Sequence, residues 1–189
     1  MILNIIFYII SFVWIISEIV LSKMKKSDLE SSIKNYDKNT LRNLWITIIL
    51  SVAIGVLASR FALGRFSILP YQQISGLVLI ALGLLIRWMA ILKLKENFTV
   101  DVSVRKDQSI AKDGIYKFIR HPAYLGSLLS FLGLSLMFTN VFTLLIIIIP
   151  ITISFLHRIN IEEKVLTQEI GTEYKEYSTQ TKKLLPFIY

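Results

Sequence analysis

Five stretches of this chain carry almost no charge: residues 1–21, 44–63, 74–92, 122–139 and 141–156. Each runs for about 16 to 21 residues, close to the ~20 that a helix needs to cross a ~30 Å hydrocarbon layer. The first three hold one charged residue apiece, Glu18, Arg60 and Arg87, and the last two hold none. This pattern predicts five transmembrane helices. Little more than Asn140 separates the fourth from the fifth, so these two are expected to fold back as an antiparallel helical hairpin. Between the third and fourth, Val100, Val102 and Val104 alternate with polar residues, the period-2 signature of an extended segment. Arg105-Lys106-Asp107-Gln108 would turn that segment back, and Asp113-Gly114 is a second turn signal. From Ile161 the apolar positions Val165, Leu166, Ile170, Tyr174 and Tyr177 fall at helical spacing, interrupted by Gly171. They predict an amphipathic helix lying on the membrane or capping the bundle.

Composition strengthens the membrane reading. Of the 189 residues 54% are hydrophobic and 18% charged, with a mean hydropathy of +0.61, which excludes a disordered chain and exceeds what a soluble surface tolerates. Residues 1–21 have neither a basic leading region nor a small-residue cleavage site, so they read as a retained anchor and not a signal peptide. Zero cysteines exclude a disulfide framework, thiolate metal ligands and cysteine nucleophiles. With only His121 and His157 as imidazoles, no metal site is expected.

The net charge of +8 would suggest a nucleic-acid partner in a soluble protein; in a membrane protein its distribution matters more, and no nucleic-acid partner is expected. Six Lys/Arg lie in 23–42, seven in 93–120 and five from His157 onward, while the opposite face has Arg60 and Arg65. The positive-inside rule then places the N-terminus outside and the C-terminus in the cytosol. The fold expected is an all-α integral membrane bundle of five transmembrane helices, with a short cytosolic extended or hairpin segment and a C-terminal amphipathic helix. Residues 1–92 would form the N-terminal spans. Residues 93–189 would form a core made of a cytosolic loop (93–121), the hairpin (122–156) and a cytosolic tail helix (157–189).

Two clusters on the cytosolic side could carry chemistry. Gly114-Ile115-Tyr116 followed by Arg120-His121-Pro122-Ala123-Tyr124-Leu125-Gly126 stands where the loop enters span four. Proline suits a first helical turn, and free N–H groups there beside Arg120 and His121 would attract an anion. Equally, Arg120 reads as an interfacial anchor and Tyr116 and Tyr124 as members of an aromatic belt. The second cluster, His157-Arg158-Ile159-Asn160-Ile161-Glu162-Glu163, follows span five. Arg158 and Glu162, at i and i+4, share a helix face and could grip a zwitterion or simply each other. The hairpin brings both clusters to one mouth of an apolar bundle, a better binding site than either alone. Arg87 lies six residues before Lys93, near enough to the interface to snorkel, though an ionisable residue inside a span also suggests function. Glu18 sits similarly near the end of span one. Pro150 would kink span five or open its backbone ladder, and 25–38 reads as a solvated loop.

At these residues the chain resembles the isoprenylcysteine carboxyl methyltransferase family, within the wider group of membrane methyltransferases that includes phospholipid N-methyltransferases. The resemblance runs through Arg87-Trp88-Met89-Ala90, Asn97-Phe98-Thr99, Gly114-x-Tyr116 and Arg120-His121-Pro122-x-Tyr124-x-Gly126. It closes with Glu162-Glu163, Gly171-x-x-Tyr174-x-x-Tyr177 and Leu185-Pro186-Phe187. It implies a methyltransferase that uses S-adenosylmethionine (SAM) as methyl donor and a lipophilic carboxylate acceptor. The implied donor contacts are Gln108, Ser109, Ile110, Ala111, Tyr116, His121, Pro122, Ala123, Tyr124 and Glu162, with Arg158 as the catalytic residue facing the acceptor. The family often has His, a polar residue and Leu-Val where this chain has Gln108-Ser109-Ile110-Ala111. Two other readings remain at this point: a phospholipid or amine N-methyltransferase, and a non-catalytic membrane lipid-binding protein.

Overall fold

The computed structural model describes residues 2–24, 32–35, 39–66, 70–94, 98, 103–105 and 110–185. Its order is α1 (Ile2–Met24), β1 (Ser32–Asn35), α2 (Thr40–Ala58), α3 (Tyr71–Leu94), β2 (Ser103–Arg105), a 3₁₀ turn (Gly114–Lys117), α4 (Pro122–Met137), α5 (Val141–Ile170) and α6 (Thr172–Gln180). Four of these helices, α1, α2, α3 and α5, are long and apolar enough to cross a membrane, and α4 is a shorter apolar helix. Large side chains such as Phe12, Ile49, Leu85 and Ile153 point outward, as expected where the surrounding solvent is hydrocarbon. The chain is an integral, multi-pass membrane protein.

Close backbone contact organises the bundle. Gly76 and Gly83 on α3 meet Gly133 and Gly126 on α4, and a Cβ built on Gly83 would stand 2.4 Å from the Gly126 carbonyl oxygen. Each pair is seven residues apart, two helical turns, so both glycines lie on one face. Without a water-driven hydrophobic force between helices, small residues let backbones approach and gain dispersion. Thus α4 packs most extensively on α3, while α5 packs on α2, where Thr143 Oγ1 donates to the Gly55 carbonyl at 2.9 Å. The main core lies between them, around Trp14, Leu44, Ile80, Phe131, Ile147, Ile151 and Phe155.

The joint between α4 and α5 is short, as its sequence predicts. Asn140, fully buried, caps α5 by accepting from the N–H groups of Phe142 (2.9 Å) and Thr143 (3.2 Å). Its amide also donates to the Leu63 carbonyl at 3.0 Å, tying the joint to the turn after α2.

Three expectations are corrected. Span two is a helix only to Ala58, so Arg60 lies beyond its end, with its carbonyl accepting from Arg65. Among the described residues β2 pairs antiparallel with β1, so the loop after α1, expected to be merely solvated, supplies a strand. An isolated strand leaves its N–H and C=O groups unpaired, and both loops leave the same end of the bundle. Val100, Val102 and the turn 106–108 lie outside the described residues. Finally, the tail helix does not start afresh after span five. The helix α5 runs unbroken through Pro150 to Ile170, because nothing in 157–170 breaks it, and ends where Gly171 takes φ +75°.

Candidate active site

At 1.5 Å per residue the thirty residues of α5 extend about 45 Å, some 15 Å more than the hydrocarbon core. The excess carries Arg158, Glu162 and Glu163 past the start of α4. There the Tyr124 hydroxyl accepts from Arg158 Nε at 3.0 Å and donates to Glu162 Oε2 at 2.8 Å. The acid and base expected to share a helix face are therefore joined through a phenol from the neighbouring helix. A second anchor holds Arg158, whose Nη1 donates to Thr40 Oγ1 at 3.0 Å, so the start of α2 belongs to the site. Arg158 is 2% exposed, and a guanidinium so enclosed must have its donors satisfied.

Arg120 and His121 behave differently from the anion-binding reading. Arg120 is not a free anion-binding cation. Its Nε donates to Glu163 Oε1 at 2.7 Å, and its Nη1 donates to the carbonyls of Ser178 and Thr181. His121 Nε2 stands 3.2 Å from the same carboxylate oxygen, and Lys183 Nζ lies 3.2 Å from its other oxygen. The last described residues run beside this loop. Arg120 N–H donates to the Lys182 carbonyl (2.8 Å), His121 N–H to that of Lys183 (3.1 Å), and Lys182 N–H to that of Phe118 (3.0 Å). A tail expected to lie on the membrane or cap the bundle thus splints the entry to α4.

Four tyrosines surround this point. Tyr116 donates to the Ala90 carbonyl of α3 at 3.3 Å, and Tyr177 of α6 donates to the Tyr116 carbonyl at 2.7 Å. The Tyr174 hydroxyl is buried and has no hydrogen-bond partner among the described residues. Burial raises the phenol pKa of Tyr116 and Tyr174 well above the usual value, helped by the negative charge of Glu162 for Tyr116 and of Glu163 for Tyr174. Tyr177 is pushed up to about 12, again chiefly by burial. All three remain neutral donors near neutral pH.

A cavity of about 650 Å³ opens from this polar mouth into the bundle. Ile110, Ala111, Tyr116, His121, Ala123, Tyr124, Arg158 and Glu162 all line it. Pro122 is buried and Gln108 and Ser109 lie outside the described residues. Deeper, the wall is apolar and aromatic, with Trp14, Trp45, Phe131 and Phe155. No cluster that could hold a metal ion occurs among the described residues.

Residues 76–168, which contain most of this site, match the model of the isoprenylcysteine carboxyl methyltransferase (ICMT) family. Through these residues the chain is similar to the ICMT family. Protein-S-isoprenylcysteine O-methyltransferase B of Arabidopsis thaliana is 30% identical over 115 residues, which is 60% of this chain and 58% of that protein. Protein-S-isoprenylcysteine O-methyltransferase of Saccharomyces cerevisiae is 34% identical over 115 residues, 60% of this chain and 48% of that one. A solved structure of a eukaryotic intramembrane Ras methyltransferase, ICMT, superposes with a TM-score of 0.61 at 26% identity, covering 82% of this chain and 55% of the other. The chain thus spans about half the length of these relatives.

Several features of this site escaped the sequence reading. Glu18 and Arg87 do not snorkel separately. They form a two-pronged ion pair, Nε to Oε1 at 2.6 Å and Nη2 to Oε2 at 2.7 Å, and Arg87 Nη1 also donates to Ser127 Oγ at 2.9 Å. A separation of 69 positions conceals that pairing, although one opposite charge in each of two spans was a usable signal. The glycine pairs were likewise visible as a seven-residue repeat in 74–92 and in 122–139. Nothing local marks Thr40 as a partner of Arg158.

Proposed function

We propose that this chain is a membrane methyltransferase that transfers a methyl group from SAM to the carboxylate of a lipophilic, isoprenylcysteine-like acceptor. The observation that carries this reading is the Arg158–Tyr124–Glu162 chain of hydrogen bonds at the mouth of a cavity polar at one end and apolar along its length. Such a cavity suits two ligands from two phases, one water-soluble and cationic, the other dissolved in the bilayer. The likeness to the isoprenylcysteine methyltransferases supports the same assignment.

The residues present fit the donor. A carboxylate at Glu162 and the faces of neighbouring tyrosines suit a sulfonium cation. The unpartnered Tyr174 hydroxyl is a polar group left to be satisfied, and the volume falls within the ~300–1,000 Å³ of small-molecule sites. Ile110, Ala111, Tyr116, the run His121-Pro122-Ala123-Tyr124 and Glu162 would hold SAM; Gln108 and Ser109, the other two contacts that the resemblance implies, lie outside the described residues. Bound there, SAM supplies an electrophilic methyl group. Arg158 is the catalytic residue on the acceptor side: its fixed guanidinium orients the carboxylate by paired hydrogen bonds, and Tyr124 and Thr40 hold it in place. A carboxylate is ionised near neutral pH, so the nucleophile needs no base, and alignment with exclusion of water supplies the catalysis. An amine acceptor would require a base. The candidates for that role, His121 and Glu163, are bound to each other and to Arg120 and Lys183, which favours the carboxylate.

In the same reading α4, about 24 Å long at 1.5 Å per residue, crosses the membrane as span four and brings the total to five. The segment α6 is the amphipathic cap, and the positive-inside charge bias puts the N-terminus outside and the site in the cytosol. Residues 1–92 form the N-terminal transmembrane helices and 93–189 the methyltransferase core. The test is purified protein in nanodiscs with methyl-labelled SAM and either S-prenylcysteine or an aminophospholipid. Base-labile label on the prenylcysteine is expected. Base-stable label on the aminophospholipid, or no transfer to either, refutes the assignment.

A further inference from the structure

Helix α1 is held unlike the others. Ser11, Trp14, Ile15, Glu18 and Ile19 line the cavity, with Trp14 buried and Ile15 and Ile19 at the exposed edge, while Ile9, Phe12 and Ile16 are exposed on its other side. It is therefore the wall between the cavity and the bilayer. A helix that covers a void gains little dispersion from the bundle. Besides the packing of Phe7 and Ile10 against the main core, its contacts include the Trp14 ring on Phe131, centroids 4.9 Å apart, and the Glu18–Arg87 pair. Glu18 is six residues from the end of α1 and Arg87 seven from the end of α3, so both lie about 9–10 Å inside the same end of the bundle. Arg87 is locked in turn to α4 through Ser127 Oγ and the Ala123 carbonyl. This places the pair at the throat, about one helical turn below Tyr124, where the polar mouth gives way to apolar wall.

Separating these charges in hydrocarbon would leave each without water or partner, a far higher cost than at an aqueous surface. The geometry also specifies position: two parallel bonds fix both the height and the rotation of α1 relative to α3. We propose that Glu18 is a positioning residue for the lipid acceptor, pinning α1 through Arg87 so that the width of the cavity, and with it discrimination between acceptor chains, is set at this pair. This inference rests on the carboxyl methyltransferase reading above.

The test compares wild type with Glu18→Gln in nanodiscs, using S-prenylcysteines of two, three and four isoprene units. Affinity for the demethylated donor product should stay within about twofold, while the acceptor KM rises about tenfold and the kcat/KM ratio between best and worst chain falls about fivefold. The chain has no cysteine, so nitroxides at Ile9→Cys and Leu85→Cys report the α1–α3 distance without background. That distribution should broaden in Glu18→Gln. If Glu18→Gln does not accumulate, Glu18→Gln/Arg87→Gln, which buries no unpaired charge, carries the same comparison. An unchanged chain-length ratio with a narrow distance distribution overturns the role of Glu18, as does loss of product affinity in parallel with acceptor KM. Wild type that methylates none of the acceptors overturns the methyltransferase reading instead.

Discussion

Replacing Gly83 with alanine tests whether the placement of α4, and through it of Tyr124, depends on backbone contact with α3. The added Cβ would lie 2.4 Å from the Gly126 carbonyl oxygen, 2.4 Å from Ser130 Oγ and 2.7 Å from Ser130 N. Two of these neighbours are backbone atoms and cannot turn aside. Restoring ordinary contact needs the helices to part by roughly 0.6–1 Å, a gap that forfeits a quarter to a half of the dispersion at each close contact. Overpacking of this kind costs about 1–3 kcal/mol. The shift also reaches the site, because Tyr124 precedes Gly126 by two residues on the helix being displaced. Its bonds of 3.0 Å to Arg158 and 2.8 Å to Glu162 would stretch beyond hydrogen-bond range, and a ~1 Å misplacement of catalytic groups can cost about a hundredfold in rate. Thermal unfolding in detergent and donor-product binding by calorimetry are the assays, with Gly171→Ala as control. Gly171 has positive φ but no atom within 4 Å of its added Cβ, so it separates backbone strain from helix contact. Gly83→Ala with wild-type stability and wild-type donor binding would refute the reasoning.

Four further outcomes follow from the same geometry. Tyr124→Phe removes the link between Arg158 and Glu162, two hydrogen bonds to charged groups worth about 1.5–3 kcal/mol each; donor binding and turnover should both fall by tenfold or more, whereas Arg158→Ala should impair turnover more than donor binding, with retained turnover on every acceptor counting against Arg158. Asn140→Ala strips the cap from α5 and leaves buried N–H groups unmatched, so unfolding should become easier by about 1–2 kcal/mol; chemical denaturation in mixed micelles measures it, and an unchanged midpoint would show the joint is held by something else. Because burial raises the pKa of Tyr116, Tyr174 and Tyr177, the folded chain keeps protons that the unfolded chain releases above pH ~10. The stability that is fully present below pH 10 should therefore decline between pH 10 and about 12, where Tyr177 ionises; ultraviolet difference titration should place its absorbance step there, and Tyr177→Phe should remove it.

Reading the chain in one dimension was enough for the membrane class, because crossing hydrocarbon demands a run of apolar residues, and such runs stand out residue by residue. The hairpin of the last two spans was legible for a related reason: a joint of little more than Asn140 leaves no other direction for the chain. Tyr116, His121, Tyr124, Arg158 and Glu162 were legible as a site because that hairpin forces two clusters, close in space though distant in sequence, to one mouth. The partnerships inside the bundle were not. Helical periodicity shows that a residue faces inward, not what it meets there, so Glu18 and Arg87 looked like separate charges near an interface, and Ser32–Asn35 looked like plain loop. Those pairings depend on which helices approach closely enough to share atoms, and the glycine contacts of α3 with α4 decide that approach. The residue types and their order along the chain came from local chemistry; the chain of bonds through Tyr124, the pin on α1 and the cavity between them exist only once the helices are packed, because each joins elements whose distance no local rule prescribes.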